Sequence, residues 1–310
     1  MKKPSPYTHH HSILCNYIHS EDLKVELFPG YTLEKATGKL LEDVKFCLND
    51  KLKGPIHGNP FESYVVDKNV RPYKMKYCKN ESEWQYWTIR HKTQYMSNPA
   101  KYALHISKAE FNPILIIHHQ PPKPNSQGSA HSIHHHLYQA INEQRFSTKW
   151  ATITPEVLLS LRTNYSKLRQ LNKTKYEYIF NSLNEYVELR KLPYDSPFKI
   201  LGLLAIIENL ITDGKMNFRT IKHQLKSKFN LLNNRFTDSF DLTQIFKGAN
   251  TDTNEVIIQK IYDYRSKIAH GGKVDFKDEL KLLGNKEKVY NVLNDITKSI
   301  CTIAINEPHY

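Results

Sequence analysis

Two residues of a short stretch, "YRSKIAHGG" at 264–272, are suited to phosphate chemistry: Arg265 and, five positions on, His270. A guanidinium is a permanently charged fork that matches phosphate oxygens. An imidazole titrates near neutrality and can give or take a proton at physiological pH. Together such side chains could hold a phosphate group, stabilise charge on its oxygens and move protons at its ester oxygens.

The helix that must carry them is legible. Ile257, Ile261, Tyr264 and Ile268 recur at i, i+4, i+7 and i+11 along 256–270, one face of an α-helix. Arg265 projects at the edge of that face and would be partly desolvated, which is costly unless something acidic meets it. The segment "FKILGLLAIIENLI", 198–211, is apolar nearly all round, so it must be buried, yet it holds one carboxylate, Glu208. We therefore expect the two helices to pack and Glu208 to orient Arg265. His270 lies about 140° around an ideal helix from Arg265, so one helix alone does not converge them. Gly271 and Gly272 supply the left-handed conformation that ends helices and leave His270 at the terminus. Two copies across a two-fold axis would bring two arginines and two histidines into one cleft. The ordinary alternative is a structural arginine and a histidine favoured at a helix C-terminus for its own sake.

In this context "YRSKIAHGG", preceded by the acid-bearing helix "LLAIIENLI", resembles the RxxxxH signature of HEPN domains, in particular the Apea-like branch in which the motif ends in His-Gly. The resemblance covers roughly 155–305. It implies an all-helical bundle that dimerises into a metal-independent endoribonuclease, a class in which many members are toxins or abortive-infection effectors against phage. It also implies Arg265 and His270 as catalytic residues, with Glu208 and Ser266 supporting them. Ser266 stands where the family often has Asn, Asp or His.

Net charge is +13 and pI about 9.3, which favours an anionic partner such as nucleic acid or an acidic membrane surface; the resemblance implies RNA, with tRNA or another cellular RNA as the substrate. After Gly214, Arg219, Lys222, His223 and Lys226 fall at i, i+3, i+4 and i+7, a basic stripe opposite Phe218, Ile221, Leu225 and Phe229. Arg219, Lys222 and Lys226, joined by Lys267, are the expected nucleic-acid contacts, giving affinity without sequence choice. A solvated face is the plainer reading of such a stripe.

Domain organisation follows from texture. Residues 1–150 mix a helix near 40–52 with aromatic and β-branched runs, "WQYWTIR", "YALHIS" and "PILIIHH", that read as strands. "PPKPNSQGSAH", 121–131, reads as an exposed loop. From Thr154, an N-cap candidate followed by Pro155, residues 151–310 turn helical. Helices are expected near 155–171, 174–191, 196–212, 217–232, 254–270 and 286–305. The fold class is thus an α+β N-terminal domain, for sensing or recognition, followed by an all-α, HEPN-like bundle.

Other chemistry is thinner. His131, His134 and His135 could share a helical face as metal ligands, but no cysteine or paired carboxylate stands near, and His9–His11 and His118–His119 make a weaker case. Neither a metal nor another cofactor is expected, and no Walker or dinucleotide glycine pattern is present. Four scattered cysteines without a CxxC pair fit a reducing cytoplasm. The longest apolar run, "ILGLLAII", is far short of the ~18 residues of a membrane span, and the residues after Met1 lack an apolar export core. With the resemblance, the expectation is a cytoplasmic homodimeric ribonuclease, for which a neutralising antitoxin or a phage trigger is a possible further partner. Its rival is a non-catalytic RNA-binding or dimerisation module in which Arg265 and His270 hold a ligand or partner.

Overall fold

A computed structural model describes residues 9–51, 61–62, 80–93, 95–118, 129–132, 151–193, 196–211, 228–229, 231–247 and 253–308. Contacts divide the chain into two units, Met1–Tyr165 and Ser166–Tyr310. An N-terminal antiparallel sheet with helices is followed by a helical region, the α+β then helical order that the sequence texture implies.

The first unit contains β1 (His10–Leu14), β2 (Ile18–His19), β3 (Lys24–Phe28), β4 (Tyr31–Lys35), α1 (Gly38–Lys51), β5 (Trp87–His91), α2 (Asn98–Ile106), β6 (Pro113–His118), β7 (Ser129–Ser132) and β8 (Ala151–Thr152). Six strands form one antiparallel sheet in the order β3-β4-β5-β1-β6-β7, while β2 and β8 make a short parallel pair. Strand β1 is central and buried at all five positions. Ile13 packs with Leu41, Val44, Cys47 and Leu48 of α1 and with Phe61 and Tyr86, a burial that anchors the helix to the sheet.

The expected strands at 84–90 and 113–119 correspond to β5 and β6. "YALHIS" does not form a strand; it is the end of α2. Ser97 stands at the cap in extended conformation, Pro99 lies in the first turn and two alanines follow, a helix-starting pattern. Tyr102 through Ile106 are all buried, so the apolar density reflects a helix enclosed on every side, not a one-faced strand. Nor is all of 121–131 loop, because its end enters β7. That strand pairs with β6, with Ala130 opposite Ile117 and His131 opposite Ile116.

His10 and His11, polar residues without apolar periodicity, are also interior. His11 donates from Nε2 to Glu34 Oε1 at 2.7 Å. His91 donates from Nδ1 to the Thr93 carbonyl at 2.7 Å; its Nε2 is therefore the acceptor for the Ser12 hydroxyl at 2.9 Å. The rings of His10 and Tyr31 stack on either side of His91, at 6.0 and 5.9 Å. Burial, then the charges of His11 and His9, hold the His10 imidazole below its ordinary value. Burial would raise the Glu34 carboxyl, but the His11 hydrogen bond and the charges of His11, Arg90 and Lys24 outweigh it and hold the group low.

The helices of the remaining chain are α3 (Pro155–Gln170), α4 (Glu177–Leu189), α5 (Phe198–Ile211), α6 (Leu242–Phe246), α7 (Asn254–Ala269) and α8 (Lys286–Asn306). Thr154 accepts from the Val157 amide at 3.3 Å, the cap that the sequence suggests. The division between units falls inside α3, after Tyr165, whose ring stacks on Phe28 at 4.3 Å. In the second unit α5 packs against both α4 and α8, as its all-round apolar sequence demands. A Cβ at Gly202 would collide with the Leu189 side chain, so the glycine lets α4 and α5 approach closely. Polar ties fix the register: Asn209 donates to Ser182 at 2.8 Å and Tyr186 to Asn294 at 2.7 Å. The five-residue α6, capped by Asp241, is too short to announce itself by periodicity. The helix expected over 217–232 lies mostly outside the described residues.

Trp84 and Trp87 lie in the first unit and the sequence has no tryptophan after residue 150, so tryptophan fluorescence follows the unfolding of that unit. His10 has its folded value depressed below 6.5 and Glu34 below 4.5, so in each case the unfolded chain binds protons more readily. Stability is complete above those values and is lost as pH falls through them. The fluorescence-detected melting temperature should drop as pH goes from about 7.5 to about 5.5, and again below about 4.5. A midpoint that stays flat or rises on acidification contradicts this.

Candidate functional site

Helix α7 starts at Thr253, whose hydroxyl accepts from the Val256 amide at 3.4 Å. Ile257, Ile258, Ile261, Tyr262 and Tyr264 are buried, while Ile268, on the same expected face, is half-buried. The helix ends as its glycines require. Gly271 has φ +68°, its amide donates to the Ile268 carbonyl at 3.3 Å, and the Gly272 amide donates to the Lys267 carbonyl at 2.8 Å. These two bonds make a Schellman cap. His270 occupies the cap position and is exposed; its backbone amide donates to the Ser266 carbonyl at 3.0 Å. The imidazole thus stands at the helix end in solvent.

Arg265 meets Glu208 of α5, Nη2 to Oε2 at 3.5 Å, with side chains 36 % and 11 % exposed. That distance is the outer limit of a hydrogen bond. The other carboxylate oxygen is better served: the Tyr262 hydroxyl donates to Glu208 Oε1 at 2.7 Å. Burial, then the bond to Glu208, push the Tyr262 phenol far above its ordinary value, so it stays a proton donor. The Arg265 guanidinium also lies 5.9 Å from the Tyr262 ring centre. Its Nε is shut off from solvent without a hydrogen-bond partner. Among the described residues no hydrogen bond or ion pair other than that to Glu208 reaches Arg265, leaving most of its N–H donors uncommitted.

Tyr262 is the member of this cluster that sequence reasoning did not single out. Its signal was its position three residues before Arg265, one turn away on the same side of the helix. No hydrogen bond or ion pair joins Arg265 to His270. Ser266 is exposed. The Lys267 ammonium is paired with Glu279, so its charge is partly satisfied within the chain. Arg219, Lys222, His223 and Lys226 lie outside the described residues, as do His119, His134 and His135. His131 sits in β7 and His118 in β6. Among the described residues no group of three His, Cys, Asp or Glu side chains is placed to hold a metal ion, and no helix is long and apolar enough to cross a membrane.

Compared with models of protein families, with curated proteins and with solved structures, the chain matches none.

The cap yields a two-variant prediction. Gly271 has open space around its missing Cβ, so Gly271→Ala costs only the left-handed backbone penalty, about 1–2 kcal/mol. A Cβ at Gly272 would make ordinary contact with Lys267 at 3.5 Å, without that backbone conformation. In urea denaturation Gly271→Ala should be clearly the more destabilising of the two. Equal losses would mean that the cap does not hold the helix end as described.

Proposed function

We propose that the chain is a metal-independent endoribonuclease of HEPN type, working as a homodimer through its helical region. The single observation behind this reading is the state of Arg265: anchored to Glu208 by one nitrogen, its other donors uncommitted among the described residues, five residues before an exposed His270 at a glycine-capped terminus. An arginine kept only for structure would spend its donors on the protein.

In the proposed reaction the 2′-oxygen of RNA attacks the adjacent phosphorus. One imidazole takes the hydroxyl proton, the bond from phosphorus to the 5′-oxygen breaks, and a second imidazole protonates the departing oxygen. The His270 residues of two chains supply base and acid. The Arg265 pair stabilises the charge that builds on the non-bridging oxygens. Glu208 orients the arginine, Ser266 borders it, and Arg219, Lys222, Lys226 and Lys267 are assigned to the flanking phosphates, Lys267 by exchanging Glu279 for one. The reading extends to a cytoplasmic toxin or abortive-infection effector acting on tRNA or other cellular RNA, restrained by an antitoxin or released by a phage trigger. The sheet unit serves sensing or recognition.

Purified protein incubated with total RNA in EDTA should cut it to fragments with 2′,3′-cyclic phosphate ends. Arg265→Ala and His270→Ala should each lower the rate by about a hundredfold or more, as loss of an acid–base group or charge stabiliser does. Cleavage that requires added divalent metal overturns the reading. RNA binding without cleavage would favour a non-catalytic module instead.

A further inference from the structure

The sheet face that packs on α1 changes character along its length. At one end Ile13, Cys15, Ala36 and Tyr86 meet the apolar side of the helix. Toward the start of β1 the same face carries charge. Paired residues on neighbouring strands share a face. Two rows therefore run side by side across β3, β4, β5 and β1: Glu26, Thr32, Arg90, His11 and Lys24, Glu34, Thr88, Ile13. His9 and Lys92 flank the His10 and His91 pair, so both stand at the end of the sheet where Arg90 faces His11. The two-residue period sets Lys92 on the side of Arg90 and His9 on the side of His11.

The cations of this patch outnumber what its acids bind. Glu34 Oε1 takes His11 at 2.7 Å, while Oε2 lies 3.9 Å from both Lys24 Nζ and Arg90 Nε, beyond hydrogen-bond reach. Glu26 makes no ion pair with Lys24 or Arg90. Among the described residues none of the N–H donors of Arg90 makes a hydrogen bond, although its side chain is only 31 % exposed, and Lys92 is exposed without an ion pair. The local field is positive. After burial, the charges of Arg90 and His11 depress the His9 imidazole, with Lys92 adding to them, and Glu34 does not offset the sum. Burial pushes the Glu34 carboxyl up, yet His11, Arg90 and Lys24 hold it low.

We propose that Arg90, with Lys92 and His9 beside it, binds a terminal phosphate group, that of a nucleotide or of an RNA end. A guanidinium fork, an ammonium and an imidazole N–H suit the three terminal oxygens of a phosphate monoester, whereas a carboxylate would engage the fork alone. Strand β5 lies inside the sheet, between β4 and β1, so the fork is carried by a rigid element. The site is in the sheet unit and stands whether or not the helical unit cuts RNA.

The test uses the full chain and its Arg265→Gln variant, in which the proposed ribonuclease site neither cuts nor holds a strand. The probes are uridine 5′-monophosphate, a 5′-phosphorylated oligouridylate and the same strand with hydroxyl ends. The nuclear magnetic resonance signal of the Arg90 Nε–Hε group, assigned by its loss in Arg90→Lys, should shift with both phosphorylated probes in both proteins. The hydroxyl-ended strand should need at least a roughly tenfold higher concentration. In calorimetric titration of Arg265→Gln with the phosphorylated strand, adding Arg90→Gln or Lys92→Gln should each weaken binding about tenfold or more, the loss of a charged hydrogen bond. Lys92 is exposed, so its variant tests binding without disturbing the core. Equal affinity for mononucleotide and phosphorylated strand supports the site with a nucleotide as its ligand; tighter binding of the strand supports it with an RNA end. Overturning results are an Arg90 signal unmoved by the phosphorylated probes, a hydroxyl-ended strand that binds as well, affinity unchanged in Lys92→Gln and Arg90→Gln, or a response that disappears in Arg265→Gln.

Discussion

A single carboxylate in an apolar helix constrains the helical unit more than any other group. Helix α5 can pack against α4 and α8 because almost everything along it is apolar. Glu208 interrupts that pattern, and a carboxylate only 11 % exposed must be hydrogen-bonded. Two of its partners stand on one turn of α7, where Tyr262 and Arg265 are three residues apart and so share a side of the helix. Satisfying Glu208 therefore fixes the rotation of α7 against α5. That rotation turns Ile257, Ile258 and Ile261 inward, while the Schellman cap at Gly271 and Gly272 sets where the helix stops and hence where His270 stands.

The sheet unit handles buried polarity by the same rule. A central strand with His10, His11 and Ser12 buried is costly unless each polar group finds a partner. Glu34 receives His11, and His91 relays between Ser12 and the Thr93 carbonyl. These pairings span separate strands, so they form only when the register of β1, β4 and β5 is correct. A one-residue slip would turn every partner to the other face of the sheet. Buried polar pairs thus specify register here, and in return they make the unit sensitive to acid.

Much of the helical region was legible because periodicity acts over many residues. The bounds of α3, α5, α7 and α8 follow from apolar spacing and from caps such as Thr154 and Gly271. The meeting of Glu208 and Arg265 was legible too, since one lone acid and one lone base sat on faces that had to be buried. Tyr262 was hidden because an aromatic at an apolar position has an ordinary explanation in packing; only the placement of its hydroxyl gives it another role. In the first unit the signals are non-local. The burial of His10 and His11 depends on partners at Glu34 and His91, far along the chain, and "YALHIS" shows no helical stripe because α2 is enclosed on all sides. Strand β7 forms from backbone pairing with β6, which leaves no trace in side-chain pattern.

The coupling between Glu208 and Tyr262 tests the central constraint most directly. A double-mutant cycle of Glu208→Ala and Tyr262→Phe, measured by urea denaturation, isolates their interaction from the separate costs of each change. A coupling of about 1 kcal/mol or more is expected for a buried hydroxyl donating to a charged carboxylate. Strictly additive losses would contradict it, because α7 would then be oriented by its apolar face alone and Glu208 would not be the group that sets Arg265.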